Sequence, residues 1–129
     1  MAGSNHDRDL VIAYLRSMQM GPAGIAGILD LYADDGVYVE HLTSVKGEIR
    51  THAGKAAIRE ALSSGMKWNP PDLRVALDRL EIEGNSLIAH WTCTSSQFAA
   101  PMKGTDRYTL SGGKIARLET RLDASEANG

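Results

Sequence analysis

The chain has 129 residues, of which 43% are hydrophobic and 23% charged, and its formal net charge is -2. A chain of this length is expected to form a single domain, residues 1–129, and to bury about two thirds of its unfolded surface. The balanced charge argues against a nucleic-acid or membrane-surface partner. Charged residues interrupt the first apolar stretch, so we expect neither a signal peptide nor a membrane span. The single Cys93 lies in an alternating run, so we expect a reduced, buried thiol in a cytoplasmic protein.

The N-terminal half of the sequence predicts three helices, at residues 4–20, 22–33 and 54–65. Apolar residues recur in each of them at spacings of three and four, which places them on one helical face. Ser4 and Asp7 resemble a capping box at the first start, and Pro22 suits the first position of the second helix.

Alternating apolar and polar residues predict strands in the remaining segments. They cover residues 37–42, a short stretch near 48–51, then 73–82, 86–97, 105–110 and 114–122. The last two form a hairpin across Ser111-Gly112-Gly113, and the last four strands pair as a meander. A curved, mostly antiparallel sheet that wraps the helices is the economical way to bury these faces, so the predicted class is α+β. The tail, residues 124–129, is predicted to be disordered.

Asp106 holds an unusual position in this hairpin. It shares a strand face with Tyr108 and Leu110, whereas Thr105, Arg107 and Thr109 take the other face. If the apolar face is buried, a carboxylate points into the interior. That costs free energy unless the group is hydrogen-bonded or kept protonated for a purpose.

Three segments carry a wider pattern, namely residues 31–40 (LYADDGVYVE), 54–60 (GKAAIRE) and 104–115. With the element order, they resemble the nuclear-transport-factor-2-like superfamily, in the branch of ketosteroid isomerases and SnoaL-like polyketide cyclases. The resemblance implies a cone-shaped, cystatin-like α+β barrel with an apolar pocket at its open end, and a homodimer formed through the outer face of the sheet. The fold alone does not specify an activity.

The same resemblance implies three catalytic residues. Tyr14 falls where ketosteroid isomerases carry the tyrosine that hydrogen-bonds the substrate oxygen, and Asp106 falls where they carry a neutral carboxylic acid. Glu40 falls where they carry the aspartate that moves the proton. A shift of one residue would place His41 there instead.

These residue types suit the enolisation of a ketone, which needs a base at carbon and donors at oxygen. Glu40 would be the base, although His41 titrates near neutral pH and would also serve. Tyr14 and Asp106 would be the donors, Asp106 only when a desolvated site keeps it protonated. Tyr108 is a further hydrogen-bonding partner. No metal, flavin or nicotinamide is required, so we expect no cofactor.

We expect Trp68, His90 and Trp91 to line the pocket. Trp68 would equally fill a gap beneath a loop, and His90 would equally face a dimer partner. His52, just before the third helix, is expected to be exposed. The polar site residues have structural alternatives as well, since buried tyrosines and carboxylates commonly serve only to hold a core together.

The leading hypothesis is therefore a cofactor-free enzyme that enolises a hydrophobic carbonyl substrate, as a steroid-type double-bond isomerase or a polyketide cyclase. The alternative is a non-catalytic carrier of a hydrophobic small molecule, or a dimerising scaffold. An epoxide hydrolase ranks lower, because it needs an arginine and two acids that converge on water, and no Arg-x-Asp pair falls on a strand predicted to face the pocket.

Overall fold

The described part of the chain consists of three helices and six strands. A computed structural model describes residues 5–42, 48–67 and 69–122. The helices are α1 (Asn5–Gln19), α2 (Ile25–Leu31) and α3 (Lys55–Met66), and a 3-10 turn at Gly21–Gly24 precedes α2. The strands are β1 (Tyr32–Leu42), β2 (Glu48–Ala53), β3 (Arg74–Glu83), β4 (Ser86–Thr94), β5 (Met102–Ser111) and β6 (Lys114–Leu122). The predicted cap at Ser4, Trp68 and the tail at 124–129 lie outside the described residues.

The strands form one sheet in the order β2-β1-β6-β5-β4-β3. Strands β3 to β6 pair antiparallel in chain order, which confirms the predicted meander. β1 joins the meander by parallel pairing with β6 and pairs antiparallel with β2. The predicted α+β class, with three helices and a curved, mostly antiparallel sheet, is confirmed. None of the helices in these ranges has the length and hydrophobicity that crossing a membrane requires.

Several predicted element boundaries were wrong. β4 ends at Thr94 instead of Gln97, and β5 starts at Met102 instead of Thr105. The second helix does not start at Pro22, because Gly21–Gly24 forms the 3-10 turn and the α-helix begins only at Ile25. β1 starts at Tyr32 instead of Val37, and the expected turn at 34–36 is an irregularity where the register against β6 shifts. Such an irregularity lets a strand continue while its acidic residues stay exposed.

The core lies between the helices and the inward face of the sheet. Its most deeply buried members include Val11, Ile28 and Ile58 from the helices and Leu87, Tyr108 and Leu118 from the strands. The opposite face of the sheet carries ion pairs, among them Arg107 with Glu83 at 2.5 Å. Burying one face and solvating the other explains the strand alternation in the sequence. Asp106 falls on the buried side, at 4% exposure, as its parity predicted.

Candidate active site

A cavity of about 140 Å³ lies between α1 and the inward face of the sheet. Its apolar wall includes Leu15, Met18, Leu73, Val75, Phe98 and Leu118, and its polar members include Tyr14, Asp106, Thr120 and the indole of Trp91. A cavity of about 150 Å³ with apolar walls holds a ligand the size of benzene. The space therefore fits one ring, with a few polar groups at its wall.

The carboxyl group of Asp106 is buried in this wall and hydrogen-bonded on both oxygens. The Thr120 hydroxyl donates to Oδ1 at 2.6 Å, and the Tyr108 hydroxyl donates to Oδ2 at 3.2 Å. Burial raises the pKa of Asp106, and these hydrogen bonds oppose the rise because they favour the ionised form. Burial has the larger effect, so the environment favours a carboxylic acid that retains a proton to donate.

Helix α1 places Tyr14 in the same cavity wall. Its hydroxyl lies 2.9 Å from the Tyr32 hydroxyl, and its ring packs edge-on against Tyr32 and Tyr108 with centroids 5.9 and 5.6 Å away. Burial raises the pKa of Tyr14 well above its ordinary value, so the phenol stays neutral. When Tyr32 is the donor in this pair, the proton of Tyr14 is free for a ligand.

Glu40 does not line the cavity that holds Asp106. It lies on β1, two residues after Tyr38, and its Oε1 is 2.8 Å from Nε2 of His52 on β2. It lines two neighbouring cavities of about 290 and 450 Å³. The smaller of these shares Tyr38, Trp91 and Thr120 with the Asp106 cavity, so the two spaces adjoin.

His52 is a site residue that sequence reasoning missed. It was expected to be exposed, but its side chain is 21% exposed, because the ring stacks on Tyr38 at 5.7 Å and bonds to Glu40. The register of β1 against β2 sets Tyr38 opposite His52. A local pattern could not reveal this pairing, because it depends on how two strands align.

His41, the alternative base, is hydrogen-bonded to Glu119 on β6. Its Nε2 lies 3.0 Å from the Glu119 carboxylate, and the hydrogen bonds from His41 and Arg117 lower the pKa of Glu119. The residue nevertheless forms part of the wall of the 290 Å³ cavity. Its ring, however, bonds to Glu119 on the strand face opposite the one that Glu40 takes, because consecutive residues of a strand point to opposite faces.

The remaining predicted residues divide between the two faces of the sheet. Trp91 lies in the cavity wall, and Tyr108 is buried behind Asp106. His90 does not fit the pocket-lining role that we predicted. It alternates with Trp91 along β4, so its side chain lies on the opposite face of the sheet. There its Nε2 lies 2.5 Å from Glu81. Trp68 lies outside the described residues.

Cys93 also lines the cavity, where burial raises the pKa of its thiol to about 11. The thiol is therefore protonated at neutral pH and a poor nucleophile. Within the three described ranges, no three His, Cys, Asp or Glu side chains cluster as a metal site requires. The polar groups at the cavity are hydrogen-bond donors and acceptors.

The model of the SnoaL-like domain family matches residues 8–118. The chain belongs to this family. A solved structure of an NTF2-like protein of unknown function from Burkholderia pseudomallei matches the SnoaL-like chain at 17% identity and a TM-score of 0.74, over 95% of each chain. A proposed polyketide cyclase from Sinorhizobium meliloti is 19% identical, with a TM-score of 0.69, over 88% of this chain and 94% of that one.

A proposed ketosteroid isomerase from Kribbella flavida is 17% identical, with a TM-score of 0.66, over 92% of this chain and 78% of that one. No curated protein matches the sequence. These identities are low, so the solved structures establish only an NTF2-like fold for this SnoaL-like protein. Its activity has to be argued from the residues of the site.

Proposed function

We propose that this SnoaL-like protein enolises a hydrophobic carbonyl compound by general acid-base catalysis without a cofactor, as a double-bond isomerase or a polyketide cyclase. One observation carries the proposal. Tyr14 and Asp106 line a single, mostly apolar cavity, and burial raises the pKa of Asp106, so two neutral donors are available to one ligand oxygen. The family's relation to proposed cyclases and isomerases supports it at a general level.

In this mechanism the substrate carbonyl accepts hydrogen bonds from Tyr14 and from protonated Asp106. When a neighbouring carbon loses its proton, negative charge develops on that oxygen, and both hydrogen bonds strengthen. The apolar wall increases the free energy that these two hydrogen bonds contribute, because electrostatic interactions are stronger where water is excluded. Loss of one such donor typically reduces turnover by about 100-fold to 1,000-fold.

Glu40 is the proposed base, and the adjoining cavity brings it to the substrate. The 140 Å³ cavity holds little more than one ring, so a bicyclic or larger ligand has to extend into the 290 Å³ space that Glu40 lines. There the carboxylate takes a proton from the carbon beside the carbonyl. It returns the proton to another carbon in an isomerase, or leaves the enolate to attack a second carbonyl in a cyclase. His41 remains the alternative base.

A carrier of hydrophobic small molecules is the second candidate function. Its support is that Glu40 is hydrogen-bonded to His52 and lies outside the Asp106 cavity. A carrier would keep the donors for binding and need no proton relay. The homodimer through the outer face of the sheet also stays a prediction, and sedimentation equilibrium would measure it.

The test uses 2-naphthol, a fluorescent phenol, and 2-tetralone, a ketone whose enol has nearly the same shape. We expect wild type to bind 2-naphthol and shift its absorption towards the ionised or strongly hydrogen-bonded form. In deuterated water, we expect wild type to accelerate deuterium exchange beside the carbonyl of 2-tetralone. The double variant Tyr14→Phe, Asp106→Asn should lose both effects. Exchange reports enolisation whatever the final product is.

The matched control is Asp35→Asn, which replaces an exposed aspartate on β1 and should behave as wild type does. Circular dichroism would establish that the double variant is folded. Naphthol binding without catalysed exchange would favour the carrier. If neither compound distinguishes wild type from the double variant, Tyr14 and Asp106 do not form an oxyanion site.

A further inference from the structure

The carboxylate of Glu40 is held by a histidine from the neighbouring strand. Oε1 of Glu40 on β1 lies 2.8 Å from Nε2 of His52 on β2, and the two side chains are 25% and 21% exposed. An ionised carboxylate only accepts hydrogen bonds, so Nε2 of His52 carries the hydrogen in this contact. Partial shielding from water makes such a hydrogen bond stronger than one on the open surface, so it restrains the glutamate side chain.

The ring of His52 is itself fixed in orientation. His52 pairs with Tyr38 in the register of β1 and β2, and the two rings stack with centroids 5.7 Å apart and planes 28° apart. Tyr38 is buried, so its ring gives the histidine a firm support. Glu40 lies two residues after Tyr38, which places the three side chains on the same face of the sheet. The stack therefore presents Nε2 to the glutamate at a defined position.

The cavities show on which side of Glu40 the histidine lies. Glu40 lines both the 290 Å³ and the 450 Å³ cavities, whereas His52, of these two, lines the larger. The 290 Å³ cavity is the one that adjoins the Asp106 cavity. His52 thus holds Glu40 from the side remote from the proposed substrate carbonyl. The hydrogen bond uses Oε1, which leaves Oε2 for the substrate.

We propose that His52 is a positioning residue, whose Nε2–H holds Oε1 of Glu40 so that Oε2 faces the substrate carbon. This inference rests on the proposed function, in which Glu40 is the base. Glutamate has several rotatable bonds, and displacing a reacting group by about 1 Å costs about 100-fold in rate. When Oε2 takes the proton, the C–H electron pair passes to the enolate, and Oε1 keeps its hydrogen bond to His52. The carboxyl group therefore stays in place for the return of the proton.

The test compares two replacements that separate the hydrogen bond of His52 from its ring. His52→Gln keeps an N–H donor close to the position of Nε2 and removes the ring, whereas His52→Phe keeps a ring on Tyr38 and has no donor. We expect His52→Phe to lower kcat for deuterium exchange into 2-tetralone by about 10-fold to 100-fold, with KM changed by less than about threefold. His52→Gln should keep kcat within about fivefold of wild type. A residue that only stabilises the strands by stacking would give the opposite order.

The Glu40→Gln variant completes a double-mutant cycle. Because a positioning residue acts only through the base, His52→Phe should have no further effect on exchange once Glu40 is replaced. A loss of the same size in both backgrounds would overturn this inference, and so would a wild-type kcat in His52→Phe. Either result would leave Glu40 standing as the base.

A further measurement does not depend on how well His52→Phe folds. The nitrogen-15 resonance of Nε2 in His52, assigned by its loss in His52→Gln, should move in Glu40→Gln, because an amide oxygen is a weaker acceptor than a carboxylate. An unmoved resonance would overturn the positioning role alone. Equal exchange rates in wild type and Glu40→Gln would contradict Glu40 as the base, and the role of His52 would fall with it.

Discussion

Two opposing effects meet at the Asp106 side chain. Hydrogen bonds from Thr120 and Tyr108 favour the carboxylate, and burial favours the acid. The pKa is raised, so burial prevails. The buried carboxyl therefore costs stability whenever it is ionised. Stability and the proposed role as a hydrogen-bond donor both favour the protonated form of Asp106. The protonation state of this one group can therefore be tested through the stability of the protein.

We predict that Asp106→Asn changes the pH dependence of stability. The unfolded carboxyl titrates near its ordinary value of 3.8 and the folded one above it. The stability that this group contributes is therefore full below the unfolded pKa and is lost as pH rises through the folded pKa. Relative to wild type, the asparagine variant should gain free energy of unfolding as pH rises from about 4 to 8, measured by urea denaturation.

Asp35→Asn serves as the control here as well, because the Asp35 side chain is exposed. Its difference from wild type should not grow over this range. A constant difference between Asp106→Asn and wild type would mean that Asp106 is ionised in the folded protein, and it could not then donate to a substrate.

We predict that Glu40→Gln separates catalysis from binding. Removal of a general base reduces the rate by about 100-fold or more, which 2-tetralone exchange would measure. Binding of 2-naphthol should change by less than about threefold, because glutamine has nearly the shape of Glu40 and the naphthol oxygen bonds to Tyr14 and Asp106 in the neighbouring cavity. Glu60→Gln is the matched control, since Glu60 also lines the 450 Å³ cavity. If His41→Gln loses exchange and Glu40→Gln keeps it, His41 is the base.

At the scale of elements, the 3-10 turn at Gly21–Gly24 packs closely against α1, the helix that carries part of the cavity wall. A Cβ at Gly24 would lie 2.0 Å from the carbonyl oxygen of Ser17 in α1. The same helix carries Tyr14 and Leu15 into the cavity one turn earlier. The turn can pack this closely only because residue 24 has no side chain, so this glycine supports the site from a distance.

We predict that Gly24→Ala destabilises the protein by about 1–3 kcal/mol, because backbone atoms have to move apart to admit the methyl group. Gly27→Ala is the matched control within α2. Its Cβ would lie 3.5 Å from the Ser17 hydroxyl oxygen, an ordinary contact, and the helix should gain about 0.5–1 kcal/mol. Urea denaturation measures both. Equal stability of the two variants would contradict the close approach.

At the scale of the whole molecule, the cavity is part of the core. Tyr14, Trp91 and Leu118 belong both to the buried cluster and to the cavity wall. A ligand in that space therefore adds contacts to the same residues that hold the helices on the sheet. Binding and folding are consequently linked.

We predict that 2-naphthol stabilises the protein against heat. A ligand that binds only the folded state adds about 2.7 kcal/mol at a free concentration 100 times its Kd. The melting temperature of wild type should rise with naphthol concentration, as calorimetry would record. The Tyr14→Phe, Asp106→Asn variant should respond less at each concentration. An equal rise in both proteins would place the ligand away from the two donors.

The elements and their inward faces followed from local sequence. Helical spacing placed Tyr14 on the apolar stripe of α1, and strand parity placed Asp106 on the buried side of β5. The irregular start of β1 was not predicted, because a run of two aspartates and a glycine also suits a turn. The position of His90 was missed for a different reason: the local sequence of β4 does not show which face of the strand is buried.

By itself, the sequence determined the α+β class, the order of the elements and the burial of Asp106. Those features depend on periodicity within a segment, which is a property of neighbouring residues. Only the tertiary structure decided that Glu40 bonds to His52 and that Asp106 and Tyr14 share a cavity. These contacts join distant segments, and the register between strands and the seating of helices set them.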